Sequence, residues 1–153
     1  MLDHVGFTVS DYARSKGFYE RALGPLGLTV LLEPVGEAAG FGRDGKPFFW
    51  IEARGRTVVG RLHVAFAVDD RETVDAFHAA ALEAGGTDNG APGVRAIYHP
   101  HYYGAYVLDP DGHNIEAVCH RPGVVPRSSS VNGERLFTTP PESELRGRSW
   151  WPK

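Results

Sequence analysis

The sequence predicts an α+β fold built from two copies of one β-α-β-β-β unit, and three observations predict it. An apolar, strand-like run that opens on a histidine occurs twice, at His4–Val9 and His63–Val68. Each run leads through an aspartate into a stretch with helical periodicity. Each copy also ends on Asp-Gly followed by Ile-Glu-Ala, at Asp44–Ala53 and Asp111–Ala117.

The repeat can be read residue by residue. With His4 laid on His63, nine of the 24 positions from His4 to Gly27 are identical to those from His63 to Gly86. Chance would give roughly one or two, so the duplication is real. In the first strand Val5, Phe7 and Val9 alternate with His4, Gly6 and Thr8; in its copy Val64, Phe66 and Val68 alternate with His63, Ala65 and Ala67. That period of two puts the branched and aromatic residues on one face and each histidine beside small residues on the other.

The helix follows in each unit. Asp11 and Asp70 are N-caps; Phe18, Ala22 and Leu23, and Val74, Phe77 and Ala81, mark the buried stripes; Gly24-Pro25 and Gly85-Gly86 end the helices. Two further strands are expected near Leu28–Glu33 and Ala38–Gly42 in the first unit, and near Val94–Tyr98 and Ala105–Leu108 in the second. Asp109-Pro110-Asp111-Gly112 is a turn signal that makes the last two strands a hairpin. On the closing strands Glu52 shares a face with Phe48 and Trp50, and Glu116 with Asn114. The matched Ile-Glu-Ala makes Glu52 the repeat partner of Glu116.

Paired about a pseudo-twofold axis, the units bring two imidazoles and one or two carboxylates to one concave surface. Such a set suits a divalent first-row metal, identity open among Zn, Ni, Mn, Co and Fe(II), with an open position for a substrate oxygen. The stretch Tyr98–Tyr106 packs His99, His101, Tyr102 and Tyr103 beside the predicted hairpin, as a substrate-facing loop with acid–base groups. Phe48 and Trp50 read as cavity wall, and Cys119 as a structural thiol.

Composition limits the rest. The chain of 153 residues has a formal net charge of −3 and 42% hydrophobic residues, so it can build a core but has no general basic field for nucleic acid or an anionic membrane. One cysteine fits a reducing compartment, and no signal peptide or spanning segment is expected; the expected location is the cytoplasm. Residues 1–120 form the domain, as modules of about 1–55 and 60–120. Residues 121–153 are a Pro- and Ser-rich basic tail, in which Trp150-Trp151 would anchor on a partner subunit or neighbouring surface.

The runs "DHVGFTVSDYARSKGFYERALGPLG", "HVAFAV" and "LDPDGHNIEAV" resemble the vicinal oxygen chelate superfamily of glyoxalases, bleomycin-resistance proteins and dioxygenases. The resemblance implies paired βαβββ modules forming a cupped mixed sheet, usually in a homodimer. It implies a metal held by His4, Glu52, His63 and Glu116 in the glyoxalase pattern, or by His4, His63 and Glu116 in the fosfomycin-resistance and dioxygenase patterns. Glyoxalase I carries a glutathione-gripping arginine where Thr8 stands and an asparagine where Arg56 stands, which speaks against a glutathione hemithioacetal as substrate. The expectation is a metal-dependent, lyase- or isomerase-like enzyme of a small molecule with vicinal oxygens, with thiol transfer and ring cleavage also open. Glu52, Glu116, His99, His101 and Tyr103 are its candidate catalytic groups. Thr8, Phe48, Trp50, Tyr102, Tyr103 and Asn114 are its candidate substrate contacts. The alternative is a resistance protein that sequesters an antibiotic or metabolite without chemistry.

Overall fold

The computed structural model describes residues 2–34, 37–55, 58 and 60–123. Arg56 and the tail from residue 124 onward, with Trp150-Trp151, lie outside the described residues. The first module runs β1 (Val5–Thr8), α1 (Tyr12–Leu23), β2 (Thr29–Leu32), β3 (Ala38–Arg43) and β4 (Lys46–Glu52). The second runs β5 (His63–Ala67), α2 (Arg71–Glu83), β6 (Thr87–Val94), β7 (Tyr103–Leu108) and β8 (Asn114–Cys119). Each module forms its own four-stranded mixed sheet, in the orders β1-β4-β3-β2 and β5-β8-β7-β6. The first strand pairs parallel with the last, and the remaining pairs are antiparallel.

The local signals act as expected at most places. The Asp11 carboxylate accepts from the Arg14 N–H at 3.0 Å and Asp70 from the Thr73 N–H at 2.7 Å, so both helices are capped. After α1 a short 3-10 turn, Gly24–Leu26, runs into Gly27 at φ 72°. The Asp44-Gly45 pair takes φ 54° and 75° and closes the β3–β4 hairpin. Gly112, at φ 85°, donates to the Asp109 carbonyl at 2.9 Å in the β7–β8 turn.

One strand lies elsewhere than expected. The second strand of module two is Thr87–Val94, whereas Val94–Tyr98 is mostly turn. Thr87–Val94 carries Gly90, Pro92 and Gly93 and has no apolar alternation. It is a strand because it pairs with β7, with register shifts between Asp88 and Gly90 and between Gly90 and Gly93. A proline fits there because the strand is an edge and its ladder is interrupted.

Both modules feed one core. Phe7, Phe41, Phe49 and Ile51 from the first sheet meet Phe66, Ile115, Ala117 and Val107 from the second, with Phe18, Tyr19, Leu23 and Phe77 from the helices. Phe49 stacks edge-on against Phe66 at 5.2 Å and Phe7 against His113 at 5.2 Å, so aromatic contacts cross the module boundary. The Asp109–Gly112 turn is also tied to module one. Asp111 accepts from the Ser10 N–H at 2.8 Å and pairs with Arg14 at 2.9 Å, and the buried Tyr19 hydroxyl donates to Asp109 at 2.5 Å. Among the described residues no helix is long and apolar enough to cross a membrane.

Tyr19→Phe removes the buried hydroxyl that donates to Asp109 Oδ2, and is expected to cost ~1–3 kcal/mol in a urea titration. Burial and then the Asp109 charge raise the Tyr19 phenol well above its ordinary value of 10. The native state therefore holds that proton where the unfolded chain releases it, and the contribution present below pH 10 is lost as pH rises above it. Alkaline melts should show a steeper loss for the wild type than for Tyr19→Phe.

Candidate functional site

The chemistry-bearing residues stand on the sheet faces turned away from the core. In the second sheet Ala65, Glu116, Tyr106 and Gly90 are level with one another, and His63 is level with Asn114 and Leu108. Glu116 is 1% exposed although it is a carboxylate on a central strand. Two donors satisfy it: His63 Nε2 lies 3.0 Å from Oε2, and the Tyr102 hydroxyl donates to Oε1 at 2.6 Å. A buried carboxylate is tolerated only when paired in this way.

The polarity of the network can be followed. Asn89 Nδ2 donates to Asn114 Oδ1 at 3.0 Å, which turns the Asn114 amide N–H toward His63 Nδ1, 2.6 Å away. The ring proton of His63 is then on Nε2, facing Glu116. Burial first, and then the hydrogen bond to Glu116, push the Tyr102 phenol far up; Tyr106 rises to about 12 from burial and the Glu116 charge. Both phenols are therefore neutral at physiological pH. Gly104 is required here, because a Cβ would lie 2.9 Å from Glu116 Oε1 and 3.2 Å from Tyr102 Cε1.

The first sheet carries a second set of groups. His4 is exposed, with Nδ1 3.0 Å from Asp3 Oδ1, and Asp3 also pairs with Lys46. A carboxylate on Nδ1 leaves Nε2 as the lone-pair nitrogen. The Trp50 indole lies flat over β3, where a Cβ on Gly40 would meet its ring at 2.7 Å. A cleft of about 510 Å³ on this face is lined by His4, Gly6, Trp50 and Glu52, and one of about 400 Å³ between the modules by His4, Phe48, Val64 and Ala65.

Strand register changes the match between the modules. Ala65 is level with Glu116, but its counterpart Gly6 is level with Trp50, and Glu52 is level with Thr8. The Ile-Glu-Ala match therefore sits two residues out of step with the strand pairing. Trp50, not Glu52, occupies the place of Glu116. His4 continues β1 to the level of Phe48, so Glu52 lies four residues farther along, about 13 Å at the rise of a strand.

Other expected site residues are distributed as follows. Tyr103 turns to the helix side, where its hydroxyl donates to Asp75 at 2.8 Å and Arg71 sits 4.8 Å from its ring, so alternation gives Tyr102 to the site and removes Tyr103. His99 and His101 stand 5.5 Å apart on the loop, and His120 lies 5.0 Å from Tyr102. The Thr8 hydroxyl donates to the Arg54 carbonyl at 3.3 Å. Asn114 holds His63 from behind. Tyr106, Asn89 and Arg95 were not anticipated; the parity of β7 relative to Glu116 is the signal that would have found Tyr106. Among the described residues no three His, Cys, Asp or Glu side chains are grouped closely enough to hold a metal ion. One chain thus presents two partial sets, on separate sheets.

The family model described as Glyoxalase/Bleomycin resistance protein/Dioxygenase superfamily matches residues 1–117. A glyoxalase/bleomycin resistance protein from Albidiferax ferrireducens T118 is 32% identical with a TM-score of 0.65, over 78% of this chain and 98% of that one. A glyoxalase/bleomycin resistance protein/dioxygenase family enzyme from Burkholderia phytofirmans PsJN is 22% identical with a TM-score of 0.60, over 78% and 98% of the two chains. Lactoylglutathione lyase from Agrobacterium tumefaciens is 17% identical with a TM-score of 0.57, over 78% and 92%. The last two share the fold alone. No curated protein matches the chain.

Gly104→Ala is expected to separate Tyr102 from Glu116 and to destabilise the protein by ~1–3 kcal/mol, measured by urea unfolding.

Proposed function

The chain belongs to the glyoxalase/bleomycin resistance protein/dioxygenase superfamily, and from that premise we propose that it is a metal-dependent enzyme of a small molecule with vicinal oxygens. The observation that carries this reading is the His63–Glu116 pair. Its Nε2 and Oε2 stand 3.0 Å apart, and the second carboxylate oxygen is held by Tyr102. The donor set of imidazole and carboxylate is of the right chemistry. The ligands in this reading are His4, His63 and Glu116. Glu52 is left out of the set by its register and is assigned as a general base reaching substrate through the cleft it shares with His4 and Trp50.

A divalent ion held by these residues would polarise the substrate's oxygens and stabilise negative charge that develops on them. Asp3 orients His4, and Asn114 orients His63; ligation through Nε2 requires the ring proton at Nδ1 and the Asn114 carbonyl turned toward it. Tyr102, kept protonated, gives its one O–H to Glu116 Oε1 and so fixes the carboxylate's orientation. Trp50 and Phe48 wall the site, and His99 and His101 stand at its rim as proton carriers. Because each chain offers two partial sets, the reading includes a twofold homodimer in which His4 of one protomer joins His63 and Glu116 of the other. Cytoplasmic residence goes with this reading, on the single cysteine.

Purified protein should gain thermal stability from at least one of Zn, Ni, Mn, Co or Fe(II). Glu116→Gln should weaken metal binding at least tenfold in a competition titration, and Glu52→Gln should leave it within about twofold. Absence of any metal-dependent stabilisation would favour a sequestering protein instead. A second measurement reads the dimer. Mixed His4→Ala and His63→Ala proteins, refolded together, should recover tight metal binding at one site per heterodimer, since each such dimer keeps one intact set. If all ligands came from one chain, mixing would restore none.

A further inference from the structure

Arg95 follows β6 and folds back over its own strand. Its Nη2 donates to the Ala91 carbonyl at 2.7 Å, and its Cζ lies 5.5 Å from the centre of the Tyr106 ring. Two glycines make room: a Cβ on Gly93 would lie 2.8 Å from Arg95 Nη1, and one on Gly90 would lie 2.8 Å from Tyr106 Cδ2. Tyr106 is level with Glu116, is 4% exposed, and its ring stands 6.3 Å from that of His63. Arg95 therefore occupies the same face as the His63–Glu116 pair, with one tyrosine ring between them.

Arg95 is partly buried as a residue, and among the described residues no carboxylate lies within 4 Å of its guanidinium. A partly desolvated cation without a counter-charge is unfavourable, and arginine keeps its charge at any physiological pH. With its face against Tyr106 and one N–H given to Ala91, the guanidinium has its remaining edge for a planar, two-point partner. Tyr106 is neutral at physiological pH and cannot balance the charge.

We infer that Arg95, seated over Tyr106 by Gly90 and Gly93, binds an oxyanion of the substrate, a carboxylate or a phosphonate, beside the His63–Glu116 pair. The inference rests on the small-molecule reading of that face and narrows it to anionic substrates.

The test is calorimetric titration of the full chain, both metal-free and loaded with Mn(II), using methylphosphonate and its uncharged dimethyl ester. The wild type should bind methylphosphonate in both states and the ester far more weakly. Arg95→Gln should weaken methylphosphonate binding about ten- to a hundredfold, with Arg95→Lys between them. Gly93→Ala keeps the charge but denies the guanidinium its seat, and should also weaken binding. Equal binding by Arg95→Gln and the wild type overturns the inference, and so does a wild type that binds ester and anion alike. If no Mn(II) is taken up while Arg95→Gln still loses phosphonate binding, the anion seat stands and only the metal reading falls. If Mn(II) is bound and Arg95→Gln binds phosphonate unchanged, the reverse holds.

Discussion

The site is organised around one carboxylate, Glu116, buried on a strand that has neighbours on both sides. Removing an ion from water costs several kcal/mol, so its oxygens must be met by donors. His63 and Tyr102 supply them, and the requirement extends outward. Tyr102 can reach Oε1 only because residue 104 is glycine, and His63 is turned by Asn114, which Asn89 turns in its own right. The chain of bonds from Asn89 through Asn114 and His63 to Glu116 fixes the orientation of each side chain in it.

The duplicated module did not duplicate this arrangement. At the place of Glu116 the first sheet has Trp50, lying over Gly40, and beside it an exposed His4 steered by Asp3. One half of the site is therefore polar and preformed, and the other is aromatic and open.

The way the modules share their core explains why the halves are apart in one chain. Phe7, Phe49 and Phe66 meet across the boundary, and the Asp109–Gly112 turn is bound to Ser10, Arg14 and Tyr19. These contacts consume the inner faces of both sheets, and the chemistry-bearing residues are left on the outer ones.

The sequence by itself determined the modules, the caps on Asp11 and Asp70, the β7–β8 hairpin turn, the alternation that set Phe7 and Phe66 against the core, and the pairing of His4 with His63 as repeat equivalents. These follow from local periodicities of two and 3.6 and from turn chemistry, which a chain carries without its neighbours. Only the tertiary structure decided which residues stand level across strands. A repeated Ile-Glu-Ala is compatible with any even shift of register, because such a shift preserves the buried face; strand pairing set Trp50, and not Glu52, opposite Gly6. The same holds for β6, which is a strand through its pairing to β7 despite its glycines and proline, and for Arg95, whose place over Tyr106 depends on that pairing.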